Sequence, residues 1–431
     1  MSSLVLRRVH VDGAEVDVAV DGGVITAIGP ELPSGDEEID GEGGALIPGL
    51  HDHHLHLFAM AAAADSVDLT GDALAALWAA DATLPRGEWI RAVGWHESSG
   101  WELDRKTLDY AVPGRPVRVQ HASGALWVLN TPALVAVGLA DHEDGRLYGM
   151  DAVVRQRLDA VRPDLRRLSG ELAALGITAV TDATPYDRVE DATALQGGMM
   201  QPVIVTGAPH LDVRGLARVG PAKIVVADHD PPTVDALVEQ VREARRHERN
   251  VAFHCASRLA LVLTLAALEQ TGARPGDRIE HGAVIPDDAV PVLRALGLTV
   301  VTQPGFVGER GDRYLAEVDD DDAPFLWRCG SLLRAGIAVR GSSDSPYGPA
   351  DPWQAMRAAV DRRTASGAAL GADERVSPEQ ALTLYTGARG IALGAAADLC
   401  LLRVPLTDAL AALDADAVRL TVIEGVVVRT S

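Results

Sequence analysis

Lysine is nearly missing from this chain of 431 residues: of its 39 basic residues only Lys106 and Lys223 are lysines, and the rest are arginines. A lysine inside an apolar segment is therefore an unusual choice here. Cysteine is also sparse. Cys255, Cys329 and Cys400 are an odd number at no metal-finger spacing, and a reducing cytoplasm is the simplest setting for them. Long apolar runs are absent. None approaches the roughly 18–20 residues of a membrane helix, and Met1–Asp12 has neither the apolar core nor the cleavage site of a signal peptide. Positive charge is in deficit, with 61 acidic against 39 basic residues and a formal net charge of -22. Such a surface repels nucleic acid and anionic membranes, so neither is expected as a partner. A small molecule remains the expected partner. A homo-oligomer is left open.

What is present is ordinary for a soluble globular protein: 47% hydrophobic and 23% charged residues. The length suits one large domain and a small one. Both ends are β-rich. Leu4–Val11, Val16–Val20 and Val24–Ile28 are separated by Asp-Gly and Gly-Gly turns, and Asp398–Arg403 and Val418–Arg429 are apolar runs near the end. The expectation is a composite β-sandwich domain from residues 1–47 and 392–431. Between them, residues 48–391 alternate short apolar strands with Ala/Leu/Arg-rich helical stretches, of which Thr233–Glu248 has the clearest helical spacing. That alternation predicts an α/β fold, a (β/α)8 TIM-type barrel. Eight candidate strands are Ala45–Leu50, Ile177–Asp182, Pro202–Gly207, Ala222–Ala227, Val251–Cys255, Arg278–His281, Thr299–Gln303 and Ala338–Ser343. An insertion is expected at about 58–170. The acidic run Asp319–Asp322 reads as a solvated loop.

In such a barrel chemistry gathers at the C-terminal ends of the strands. The first strand leads into His51-Asp52-His53-His54-Leu55-His56. In extended backbone, residues two apart share a side, so His54 and His56 can present imidazoles to one ion while Leu55 packs away. His254, His281 and Asp344 each follow an apolar run at a later strand end. One such residue alone reads as structural; the set, in barrel order, reads as a nitrogen-rich metal site with one carboxylate. Zinc suits it, with iron, manganese or nickel as alternatives. Lys223 lies in the apolar Pro221–Val226. A buried ammonium is costly without a partner. Either Lys223 pairs with a carboxylate such as Asp228, or its neutral amine takes up carbon dioxide and bridges two metals as a carbamate. The rest of the site favours the bridge.

These segments resemble the amidohydrolase superfamily, in its family-3 branch that includes N-substituted formamide deformylases. Pro48–His56 is similar to the superfamily's opening metal motif, Lys223 to its carboxylated lysine, and His254, His281 and Asp344 to its later ligands. Gly94-Trp95, the segment from His121 to Asn130, Gln303-Pro304, Ser342–Pro346 and Ala397–Leu399 with Gly425 are similar too. The chain departs from the branch at Cys255–Ser257 and Ala227–Pro231, loops that would touch substrate.

The resemblance implies a hydrolase cleaving a C–N bond of an amide, formamide or cyclic amide through a metal-bound hydroxide. His54, His56 and Asp344 would hold one metal, His254 and His281 the other, with carboxylated Lys223 between two zinc ions. Asp344 would carry the proton from nucleophile to leaving nitrogen. Candidate substrate contacts are Trp95, His96, His121, His229, Gln303, Arg310 and Tyr347. Glu280 precedes a ligand and is expected to point the other way. A ring-amine deaminase or a lactonase on the same metals is the nearest alternative, and a non-catalytic barrel scaffold a remote one.

Overall fold

The structure is a computed structural model that describes residues 3–97, 100, 102–122, 124, 126–150, 154, 163–216 and 218–428. Met1, Ser2, Ser123, Ala125 and Arg429, which belong to segments named above, lie outside the described residues. The chain divides into two compact units, Met1–Leu57 with Leu165–Ser431, and Phe58–Asp164.

In the first unit, the N-terminal strands Leu4–Val11, Ala14–Asp21 and Val24–Gly29 form antiparallel hairpins, and Glu37–Asp40 adds in parallel. Their turns fall at Gly13 and at Gly22-Gly23, all three at positive φ, as tight hairpins require. A second sheet joins Leu46–Pro48 to the late strands Leu399–Leu402, Val418–Ile423 and Val426–Val428. Leu4, Leu6, Val18 and Ile25 of the first sheet share one buried cluster with Leu46, Leu399, Leu401 and Val422 of the second.

The rest of this unit is built on eight strands: β1 Leu50–Leu55, β2 Ile177–Asp182, β3 Val203–Val205, β4 Ala222–Val225, β5 Val251–Cys255, β6 Arg278–His281, β7 Thr299–Thr302 and β8 Ala338–Gly341. They form two all-parallel sheets, ordered β3-β2-β1 and β4-β5-β6-β7-β8. Main-chain bonds cross between them at both edges. Lys223 N donates to Gly207 O at 2.8 Å, Asp344 N to His54 O at 2.8 Å, and His56 N to Ser345 O at 2.9 Å. Every residue of β2 is buried, as parallel strands covered on both faces should be. The helix Val234–Arg246 packs on β4 and buries Leu237, Val238, Val241 and Ala244, and Thr233 caps it by accepting from Ala236 N.

The first strand differs from expectation. Ala45–Leu50 does not enter the parallel set: Leu46–Pro48 pairs antiparallel with Leu399–Leu401, and the parallel strand starts at Leu50. Gly49 is the break. A Cβ there would sit 2.1 Å from Thr178 Cγ2, so only glycine lets the chain cross from one sheet to the other. The helix Arg166–Ala174, at the end of the span expected for the insertion, buries Leu168, Leu172 and Ala173 within this unit.

The second unit carries its own sheet, ordered Arg146–Tyr148, Leu126–Leu129, Val117–His121, Ile90–Trp95, Val67–Asp68. Leu77, Ile90, Trp95, Leu108 and Val119 form its core. Asn130 is fully buried; its side chain accepts from Val117 N and donates to Val112 O and Arg115 O. Trp95 has no exposed surface. It packs within this core. Among the described residues, no helix is long and apolar enough to cross a membrane.

Candidate active site

The site starts with an irregularity in β1. Asp52 pairs with Val180 and Leu55 with Asp182, so three steps in β1 match two in β2. A β-bulge of this kind re-aims a side chain. His54 and His56 turn together toward residues of β4, β6 and the end of β8, while His51 and His53 stack on each other at 3.9 Å. Asp52 braces the turn: its Oδ1 accepts from His54 N at 3.1 Å and Ser343 N at 3.2 Å. Burial pushes its carboxyl up to about 7.

All six residues expected to hold metal come together. His54 Nε2 lies 3.3 Å from Lys223 Nζ and 3.4 Å from Asp344 Oδ1. His56 Nε2 is 3.3 Å from the same Asp344 oxygen. His281 Nε2 is 2.9 Å from His254 Nδ1, and its Nδ1 is 3.9 Å from Asp344 Oδ2. The His54 and His281 rings are 4.6 Å apart. Burial lowers the pKa of His54, His254 and His281, favouring the neutral imidazole that binds metal. Burial also lowers Lys223, toward the neutral amine. Burial alone would raise Asp344, but His281, His56 and His54 hold it below the usual carboxylate range. Asp344 Oδ1 is nevertheless buried with no hydrogen-bond partner. A buried carboxylate oxygen without a hydrogen bond is costly, and here two imidazole nitrogens face it at 3.3 and 3.4 Å. Imidazoles, an amine and one orphaned carboxylate oxygen fit a divalent cation. His281 and Asp344 have φ of 67° and 54°, left-handed conformations that cluster at functional sites.

The outward nitrogens of the ligand set are also committed. His56 Nδ1 meets Thr184 Oγ1 at 2.8 Å, His281 Nδ1 meets Gln303 Oε1 at 3.0 Å, and His54 Nδ1 meets Glu280 Oε2. Asp182, fully buried, accepts from Leu57 N and Thr184 N and so holds the β1 end against Thr184. Sequence reasoning missed Thr184, Asp182 and Glu280. Glu280 was expected to point away from its neighbour His281. The left-handed φ of His281 interrupts strand alternation, so both side chains face the cluster. The signal available was Arg278-Ile279-Glu280, an opposite-charge pair two apart on an apolar strand, and the two do form an ion pair.

The proposed substrate contacts divide. Gln303 is fully buried, with Oε1 at His281 and Nε2 donating to Ser342 Oγ at 2.9 Å. Both ends of its amide are occupied, so it braces His281. Tyr347 presents its ring at 5.6 Å to His56. Arg310 lies over the Phe306 ring at 4.3 Å and donates to Tyr347 O. His229 is exposed in the loop after β4. His96 and His121 belong to the second unit, where their rings lie 5.0 Å apart and His121 Nε2 is 2.8 Å from Glu97 Oε2.

Parallel strands in an α/β fold, with imidazoles, an amine and a carboxylate gathered at their C-terminal ends, define the candidate metal centre of a hydrolase. The chain belongs to the Amidohydrolase family, which it matches over residues 37–429. It is similar to N-substituted formamide deformylase of Arthrobacter pascens, 26% identical over 462 aligned positions that cover 86% of this chain and 84% of that one. Its fold is similar to that of an uncharacterized metal-dependent hydrolase from Pyrococcus horikoshii, with a TM-score of 0.77, 22% identity and coverage of 99% of this chain and 100% of the other. A second such hydrolase, from Pyrococcus furiosus, gives a TM-score of 0.72 at 21% identity over 93% of this chain and 99% of its own.

Proposed function

We propose that this protein is a metal-dependent hydrolase that cleaves a C–N bond of an amide, formamide or cyclic amide in a small molecule. The observation that carries the reading is the gathering of His54, His56, Lys223, His254, His281 and Asp344 into one contiguous cluster, with an Asp344 oxygen that is buried without a hydrogen bond. The bond class is supported by the likeness to a formamide deformylase. His54, His56 and Asp344 would hold one divalent ion and His254 and His281 a second, with zinc the expected metal. Lys223, buried and with its pKa lowered, is suited to become a carbamate that bridges the two. Such ions, when bound, supply Lewis-acid polarisation and make water acidic near neutral pH. Asp344 takes up the proton of the attacking water and hands it to the leaving nitrogen. The eight parallel strands act as one closed (β/α)8 barrel, a reading supported by the backbone bonds at both sheet edges. The two terminal sheets with their shared core act as one sandwich domain beside it. Three buried free thiols suit a reducing cytoplasm.

The test is metal analysis of the purified chain, followed by a panel of N-substituted formamides, amides and cyclic imides. Tightly bound divalent metal with turnover of one of these classes is expected. A chain without bound metal refutes the proposal. A crystal structure decides Lys223: an unmodified side chain turned away from the cluster reduces the centre to one metal.

A further inference from the structure

Glu280 and His54 are both fully buried, on strands that are not neighbours in either sheet. Glu280 Oε2 contacts His54 Nδ1, and Glu280 Oε1 forms an ion pair with Arg278 Nε, whose side chain is 12% exposed. Arg278 Nη2 also donates to His53 O at 3.4 Å. One guanidinium therefore holds both the carboxylate and the backbone just before His54. An ionised carboxylate can only accept hydrogen bonds. Its contact fixes the imidazole proton on Nδ1 and leaves the Nε2 lone pair facing Lys223 and Asp344.

We infer that Glu280, clamped by Arg278, is a positioning residue that sets the tautomer of His54 and so decides which of its nitrogens is offered to metal. This rests on the hydrolase reading for its consequence, though not for its geometry. Thr184 and Gln303 hold His56 and His281 with neutral groups; Glu280 alone among these three supplies a charge, at the most buried of the three imidazoles.

The chemistry makes an unusual demand on the isosteric variant. Glutamine at 280 must present its amide NH2 to either Arg278 or His54. Arginine has donors and no acceptor, so the NH2 turns to His54. The imidazole then accepts at Nδ1 and carries its proton on Nε2, where it blocks metal. Glu280→Gln is therefore expected to weaken metal binding at least as much as Glu280→Ala, about 10–100-fold, while unfolding closer to the wild-type temperature. Glu280→Asp, which keeps the charge, should recover part of the affinity. A residue that serves packing alone predicts the reverse order, with Gln near wild type.

The experiment uses the full chain with zinc in chelator competition, and nitrogen-15 histidine spectra of the metal-free protein. The expected result is a proton on His54 Nδ1 in wild type and on Nε2 in Glu280→Gln, with zinc affinity in the order wild type, Asp, then Ala and Gln. The same tautomer in wild type and Gln, or Gln binding zinc like wild type, overturns the inference and leaves the hydrolase reading standing. A wild-type chain that binds no zinc overturns the hydrolase reading, and the tautomer comparison then still decides the role of Glu280. If the Ala variant does not fold, Gln and Asp carry the test.

Discussion

Replacing Asp344 by Asn separates the two duties proposed for this residue. The backbone at 344 has φ of 54° and its N–H donates to His54 O at 2.8 Å. Asparagine tolerates the left-handed region, whereas most side chains there cost about 1–2 kcal/mol. The variant should therefore fold with the β1–β8 seam intact. Its amide oxygen would still be available to a cation at the place of Asp344 Oδ1, which lies 3.4 and 3.3 Å from His54 Nε2 and His56 Nε2. Metal should stay bound. Proton transfer should not survive, because an amide cannot take up the proton of the attacking water. Loss of a general acid–base of this kind lowers the rate by about 10²–10⁴-fold, or about 2.7–5.5 kcal/mol of barrier. Steady-state kcat on the best substrate of the panel, with metal content measured on the same sample, checks both halves. A kcat within threefold of wild type, with metal retained, refutes the role of Asp344 as proton carrier. Loss of metal along with rate shows that the carboxylate charge is needed for binding.

Other expectations concern the frame. Gly49→Ala places a methyl 2.1 Å from Thr178 Cγ2, 2.2 Å from its Oγ1 and 2.7 Å from its Cβ; overpacking costs about 1–3 kcal/mol, and Thr178→Ala, which removes the two nearer atoms, should restore part of the lost melting temperature. Glu374→Ala takes the buried one of two carboxylates from Arg328, leaving it the exposed Asp287, and strips the acceptor from Cys329 N and Ser331 N; a buried donor left without its acceptor costs about 1–3 kcal/mol, read as a lower urea midpoint. Burial opposes the charge of Asp17, but bonds from Arg7, Arg8 N and Leu32 N outweigh it and hold its pKa below the ordinary 3.8. A depressed folded-state pKa stabilises above 3.8 and loses that contribution as pH falls toward the folded value. Asp17→Asn should thus flatten the acid limb of stability against pH; an unchanged limb contradicts the assignment.

The residues that gather at the site were legible because each is a ligand type following an apolar run, and strand ends are where such residues meet. Lys223 stood out only because the chain spends lysine so rarely. The partners of the ligands were not legible. Whether Glu280 faces His54 depends on one φ at His281, and whether Gln303 faces substrate depends on which group its amide reaches first. Trp95 sits in a motif but is fully buried in a cluster drawn from residues far apart in the chain, which local sequence does not reveal. The first strand was set too early because Leu46 and Ile47 are as strand-like as Leu50. What separates them is pairing with Leu399–Leu401 at the far end of the chain, together with a glycine whose missing Cβ makes room for Thr178.

The unequal step count between β1 and β2 has a consequence for how this centre tolerates change. It is a change of parity that falls across His53 and His54: the odd-numbered His51 and His53 stack on each other, while the even-numbered His54 and His56 meet the carboxylate. Substitution in β1 alters one imidazole at a time. Only His53 and His54 lie between Asp52 and Leu55, so removing either one takes out an imidazole and returns the two strands to equal steps, shifting the remaining histidines of β1 relative to Lys223 and Asp344. The length of this strand therefore matters as much as its spelling: an alignment gap placed between Asp52 and Leu55 would mark the loss of the centre's geometry along with one imidazole.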